Sequence, residues 1–199
     1  MLQKNIAFFD FDGTITTKDT MLEFAKYKYG SVGYWFGMCI IFPWLIAMKI
    51  GLVSNTTAKE KFLSYFFGNK TVEEFTNDCI LFTVDVLPQL IKEEALIEIK
   101  KHKKNNAHIV VVSASAENWV APWCIQNGIE YICSKLEIKE QKITGKLLRK
   151  NCNGIEKVSR IKEKFDTANY DNIYCYGDSD GDKQMLQLAT HPYFRTFLK

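Results

Sequence analysis

The sequence predicts an α/β fold: a Rossmann-like parallel sheet core with an inserted all-helical cap. Three observations predict it. Residues 6–9, 108–112 and 173–176 are short, strongly apolar runs of the kind strands show when a sheet is covered on both faces. From residue 88 onward such runs alternate with helical patterns. Between the first two runs, residues 17–87 carry helix signals and no strand signal.

The first strand (IAFF, 6–9) runs directly into Asp10. Residues 19–29 (DTMLEFAKYKY) have helical character. Residues 32–53 are almost wholly apolar, with Lys49 their only charge and Pro43 an interruption. As a helix, twenty such residues span about 30 Å, and Pro43 would kink or split it. Thr57 with Glu60, and Thr71 with Glu74, read as capping boxes opening helices toward Phe67 and Val86. Beyond Pro88, residues 91–104 read as an amphipathic helix and residues 108–112 (HIVVV) as a strand ending in Ser113. A helix over 117–127 is stopped by Gly128. Short strands lie within 131–148, a helix over 158–164, a third buried strand over 173–176, a short helix over 183–188 and a last strand over 193–198. The expected division is a catalytic core of residues 1–16 and 88–199 and a helical cap of residues 17–87.

A chain of 199 residues can form one core with a small inserted domain. Its 47% hydrophobic and 25% charged residues are those of a folded protein. The net charge of +3, with no basic stripe, excludes a nucleic-acid partner. No two of the six cysteines have C-x-x-C spacing, which argues against zinc and for reduced thiols in the cytoplasm. The acids in the first dozen residues do not read as a signal peptide.

In open α/β sheets ligands bind beyond the carboxyl ends of the strands. Here those ends carry Asp10 and Asp12, then Ser113, then Asp178 and Asp182, while Lys157 stands near the start of the helix before the third strand. Carboxylates gathered in one cleft repel one another, and a magnesium ion, a taker of oxygen ligands, relieves that repulsion. Lysine and serine beside such an ion favour a phosphoryl group. Together these residues supply the parts of phosphoryl transfer: nucleophile, charge neutralisation and positioning.

DFDGT at 10–14, the serine ending VVVS at 113, GIEKV around Lys157 and YGDSDGD at 176–182 resemble the four motifs of the haloacid dehalogenase superfamily, in that family's order. The helical insertion after the first motif resembles the family's first cap type. SASAENWVAP after the second motif and ITGKL at 143–147 resemble the phosphoserine-phosphatase-like branch. The resemblance implies a magnesium-dependent phosphomonoesterase. In it Asp10 is the nucleophile and forms an aspartyl-phosphate, and Asp12 is the general acid and base. Ser113 and Lys157 hold the phosphoryl oxygens. Asp10, Asp178, Asp182 and the main-chain carbonyl of Asp12 hold the ion, Asp182 directly or through water.

The cap is expected to set the substrate, a phosphorylated small molecule or a lipid phosphate. Phosphoserine phosphatases are expected to grip their substrate's carboxylate with a cap arginine, and residues 17–87 contain none. Lys59 or Lys61 could substitute, although a solvated lysine is the default. Residues 32–53 have two readings: packed bundle core, or a segment that dips into a membrane surface and delivers a lipid phosphate. The layout also resembles the bacterial phosphatidylglycerophosphatase C group, which makes phosphatidylglycerophosphate the leading substrate. The alternatives are a soluble small-molecule phosphatase, a phosphotransferase and a non-catalytic binding module.

Overall fold

The computed structural model describes residues 4–197. Its main sheet has five strands: β1 (Asn5–Phe9), β2 (His108–Ala116), β3 (Glu130–Ser134), β6 (Asn172–Gly177) and β7 (His191–Phe194). Their order is β3-β2-β1-β6-β7 and every pairing is parallel. A separate antiparallel hairpin joins β4 (Leu136–Lys139) to β5 (Lys142–Leu147). Of the predicted last strand, Leu198 lies outside the described residues.

The topology puts the polar strand ends side by side. β1 is central and hydrogen-bonded to both β2 and β6, with Phe9 level with Val111 on one side and Tyr176 on the other. The chain leaves β1 toward β2 and β3 on one side, and toward β6 and β7 on the other. That reversal is a topological switch point, where the strand ends part and open a crevice.

The helices are α1 (Thr20–Lys49), α2 (Asn55–Phe67), α3 (Val72–Asp85), α4 (Leu87–Leu90), α5 (Glu93–Lys104), α6 (Glu117–Gln126), α7 (Ile155–Lys164) and α8 (Lys183–Leu186). The Thr71–Glu74 capping box forms as the sequence predicts, with both reciprocal hydrogen bonds. The Thr57–Glu60 box does not. α2 starts earlier, capped by Ser54, whose hydroxyl accepts from the Thr57 amide at 3.0 Å. Glu60 is taken elsewhere, accepting from the Leu147 amide of β5 at 2.9 Å.

α1 breaks at Gly30 (φ 65°, ψ 175°), not at Pro43. Pro43 sits inside a continuous helical stretch, where its missing N–H forfeits one hydrogen bond. Before the break, Phe24 stacks on Phe67 at 4.8 Å and meets Trp119 of α6 at 5.5 Å, so the inserted helices share an aromatic core with the sheet region. After the break, Tyr34, Gly37 and Ile41 turn inward, and a Cβ on Gly37 would stand 2.4 Å from the Phe66 ring. The opposite face is bare. Trp35, Phe36 and Phe42 are 63%, 67% and 58% exposed, so most of this helix is not bundle core.

The β4–β5 hairpin packs on α2 at one close point. Gly145 has φ +79°, and a Cβ there would lie 2.3 Å from the Ser64 backbone. Gly145→Ala is therefore expected to destabilise the protein by roughly 2 kcal/mol, lowering the melting temperature by about 4–8 °C for a chain of this size. A thermal melt reads this; an unchanged melting temperature would refute the close-packing account.

Candidate active site

The carboxylates come from two strand ends, Asp10 and Asp12 from the end of β1 and Asp178 and Asp182 from the loop after β6. Asp10 follows β1, and its amide donates to the Tyr176 carbonyl of β6 at 2.9 Å. The chain then makes a wide turn over Phe11–Ile15, in which Gly13 takes φ +80°. A Cβ on Gly13 would stand 2.3 Å from Asp178 Oδ2, so glycine here lets the first-strand turn and the β6 loop meet. Thr14 Oγ1 donates to Asp178 Oδ1 at 3.2 Å. α7 is tied to the same loop, because the Gly154 amide donates to the Gly181 carbonyl at 2.8 Å.

Lys157, in the first turn of α7, is fully buried. Its ammonium donates to Asp10 Oδ1 at 2.5 Å, Asp182 Oδ1 at 2.6 Å and the Val112 carbonyl at 2.7 Å. All three of its protons are thus used, joining β1, β2 and the β6 loop. Burial alone would lower the lysine's pKa, but Asp10 and Asp182 outweigh it and raise it. Asp182 is held below the usual carboxylate range: burial opposes this, and Lys157 with the Ser179 donors prevails. Burial pushes Asp10 up to about 7 despite Lys157. Burial, followed by the neighbouring Asp182, also raises Asp178.

Asp10, Asp178 and Asp182 each bring an oxygen within 4.8 Å of the other two. Three carboxylates and one ammonium leave a formal charge of −2, which a divalent cation balances. The donor set is entirely oxygen, as magnesium requires. Asp182 is the most occupied member. Its Oδ1 takes Lys157, and its Oδ2 takes the Ser179 amide and hydroxyl at 3.0 and 2.8 Å. Asp10 Oδ2 has no hydrogen-bond donor among the described residues.

The Asp12 side chain is aimed differently. Its Oδ1 accepts from the Thr20 amide and hydroxyl at 2.7 and 2.6 Å, and its Oδ2 accepts from the Ser115 hydroxyl at 2.5 Å. The Trp119 indole in turn donates to Thr20 Oγ1 at 3.0 Å. The Ser113 hydroxyl oxygen is buried and accepts from the Ser115 amide at 2.9 Å. β2 runs on past Ser113 to Ala116 through an irregularity in its pairing with β3, and Ala114 and Ser115 line the cleft.

That cleft has a volume of about 770 Å³. Its floor holds Asp10, Asp12, Lys157, Asp178 and Asp182; Met38, Leu45 and Met48 of α1 form an apolar wall. Lys59 of α2 also lines it, contrary to the expectation of a solvated lysine, whereas Lys61 lies over the Trp44 ring at 4.5 Å. Sequence reasoning missed Thr20, Ser115 and Trp119. Thr20 lies in a stretch that reads simply as helix, and Ser115 and Trp119 lie in SASAENWVAP, whose resemblance to a family branch assigns neither of them a role.

The three histidines lie outside the cleft. His102 is buried with Nε2 2.9 Å from the Tyr176 hydroxyl, His108 meets Glu130 at 2.8 Å and His191 stacks on Tyr174. Arg149 forms a two-pronged ion pair with Glu163 at 2.9 and 3.1 Å.

A family model described as haloacid dehalogenase-like hydrolase matches residues 7–187. Protein CicA of Caulobacter vibrioides is 31% identical over 191 residues, which cover 95% of this chain and 85% of that one. A Mycobacterium tuberculosis protein described as a probable phosphatase is 26% identical over 207 residues, covering 94% and 67%. Solved structures share the fold. A Bordetella pertussis protein described as of unknown function superposes with a TM-score of 0.79 at 19% identity, covering 94% of this chain and 88% of its own. A substrate-bound phosphoserine phosphatase superposes with a TM-score of 0.61 at 20% identity, covering 94% and 83%.

Proposed function

The chain belongs to the haloacid dehalogenase-like hydrolases, and on that premise we propose that it is a magnesium-dependent phosphatase acting on a lipid phosphate. The observation that carries the chemistry is the joint placement of Asp10 beside Lys157 and of Asp12 between Thr20 and Ser115. Asp10 attacks phosphorus through its carboxylate as the alcohol departs, and holds the phosphoryl group as an acyl phosphate until water releases it as inorganic phosphate. Asp12, aimed by Thr20 and Ser115, gives a proton to the departing alcohol and then takes one from the attacking water. Lys157 offsets one of the site's carboxylate charges, and the buried Ser113 hydroxyl, whose proton has no acceptor among the described residues, would turn it toward a phosphoryl oxygen.

Asp10 and Asp178 would hold the magnesium ion, with the Asp12 main-chain carbonyl. Asp182, already saturated by protein donors, would act from behind them. When bound, the ion supplies neutralisation of the charge on the phosphoryl oxygens. A consequence follows from the raised pKa of Asp10, about 7 without metal. Below that pH the carboxyl carries a proton that the cation must displace. Magnesium affinity is expected to rise with pH up to about 7, by at most roughly tenfold per pH unit, and to level off above it. Titration calorimetry in buffers of different ionisation enthalpy reads the released proton. Affinity independent of pH between 5.5 and 7 would contradict it.

The substrate reading rests on α1. Its inner side chains wall the cleft, and its outer face leaves Trp35, Phe36 and Phe42 uncovered. The segment 32–53 would lie in a membrane surface, with the enzyme cytoplasmic and peripheral and the helical segment 17–87 serving as its cap. Phosphatidylglycerophosphate is the leading substrate. The test is phosphate release from phosphatidylglycerophosphate, phosphatidate, phosphoserine and an aryl phosphate, with and without magnesium, beside flotation on anionic liposomes. A protein that does not float and prefers a soluble ester would overturn the lipid reading and leave the phosphatase reading standing.

A further inference from the structure

Two lysines that the phosphatase chemistry does not use line the cleft, Lys18 and Lys59. Lys18 pairs with Glu23 at 3.7 Å, and Lys59 has no such partner among the described residues. Its ammonium donates to the Ala114 carbonyl at 2.8 Å and reaches Asn151 Oδ1 at 3.5 Å. Asn151 is itself buried and held by the Ser134 hydroxyl at 3.1 Å. Both contacts are to neutral oxygens, and no carboxylate lies within ion-pair distance among the described residues. Lys157, by contrast, pairs with Asp10 and Asp182, and Lys28 and Lys70 share Asp78. Burial lowers the pKa of Lys59, and the more distant Asp12 and Asp19 oppose that. Lys59 is only partly buried, but a charge facing a cleft without a counter-charge within ion-pair distance is less well compensated than its paired neighbours, and an arriving anion supplies the missing partner.

Its position says where that anion would be. Ala114 lies between Ser113 and Ser115, and the Ser115 hydroxyl holds Asp12. Lys59 is therefore on the acid–base side of the cleft, where the leaving alcohol departs, whereas Lys157 stands at Asp10. Most other charges lining the cleft are carboxylates, which would repel any second anion on a substrate.

We propose that Lys59, steadied by Asn151, binds a second anionic group carried on the alcohol portion of the substrate. This deepens the lipid-phosphatase reading and rests on it. Beside the apolar wall of Met38, Leu45 and Met48, the group that fits is the phosphodiester of a phospholipid whose headgroup ends in the phosphomonoester. Phosphatidate, which has one phosphate, cannot engage Lys59 in this way.

The test compares wild type, Lys59→Met and Lys59→Arg on phosphatidylglycerophosphate, phosphatidate, phosphoserine and an aryl phosphate. Lys59→Met is expected to raise KM for phosphatidylglycerophosphate by roughly 10–100-fold, the range of a charge-assisted hydrogen bond. That loss should exceed the loss on phosphatidate and aryl phosphate by at least about tenfold, with Lys59→Arg recovering part of it. A loss confined to phosphoserine would support the anion subsite and assign it to a carboxylate on a soluble substrate. Equal losses in kcat on every substrate would overturn the proposal, showing that Lys59 only holds the Ala114 end of β2. No loss on any substrate would overturn it as well. Calorimetric binding of glycerophosphoglycerol, the bare phosphodiester headgroup, to wild type and Lys59→Met reads the subsite without turnover. Weaker binding to the variant supports the subsite even if no phosphate ester is hydrolysed, and equal binding rejects it.

Discussion

Asp10→Asn is expected to reduce phosphate release by at least roughly 10⁴-fold, to the background of the assay, with the fold retained. An amide is not a competent nucleophile, and no second carboxylate can take its place. Asp12 is turned toward Thr20 and Ser115, Asp182 is saturated by Lys157 and Ser179, and Asp178 follows a different strand. The substitution keeps an oxygen for Lys157 and removes one of three crowded charges. Its melting temperature should therefore stay within roughly 5 °C of wild type when divalent cations are chelated. A folded variant that still releases phosphate would remove Asp10 from the nucleophile role.

Asp12→Asn is expected to lower kcat by roughly 10²–10⁴-fold, the span of a lost general acid. The size should depend on the leaving group. An alkyl alcohol departs poorly without a proton, whereas a nitrophenolate departs readily, so the loss should be larger on an alkyl phosphate. An asparagine oxygen can still accept from Thr20, and the Ser115 hydroxyl can rotate to accept from the amide, so the local geometry survives. Equal losses on both leaving groups would show that Asp12 organises Thr20 and the β2 end without carrying a proton.

The sheet was legible because its strands announce themselves locally. IAFF, HIVVV and IYCY are apolar runs bounded by polar residues; the first and third close on carboxylates that line one crevice, and the second on Ser113, buried next to the crevice-lining Ala114 and Ser115. The capping box at Thr71 was legible for the same reason, since all its partners lie within four residues. The Thr57 box failed because Glu60 is claimed by Leu147, a residue 87 positions away. The break at Gly30 falls between the two segments read as 19–29 and 32–53, where glycine can adopt a positive φ, whereas the kink expected at Pro43 does not form because the helix tolerates the lost hydrogen bond.

By itself the sequence determined which candidate groups stand where: two aspartates at the end of one strand, a serine at the end of the next, a lysine at a helix start and an acidic loop after the third strand. These are fixed by short-range pattern, because a buried strand must end where its apolar run ends. Only the tertiary structure decided what surrounds them. Thr20, Ser115 and Trp119 aim Asp12 through contacts spanning up to 103 residues. Lys59 enters the cleft while Lys61 lies on Trp44, a difference set by how α2 is rotated against α1 and the β5 hairpin. Each residue along a helix turns by about 100°, so composition alone cannot distinguish a lysine that faces the cleft from one that faces water.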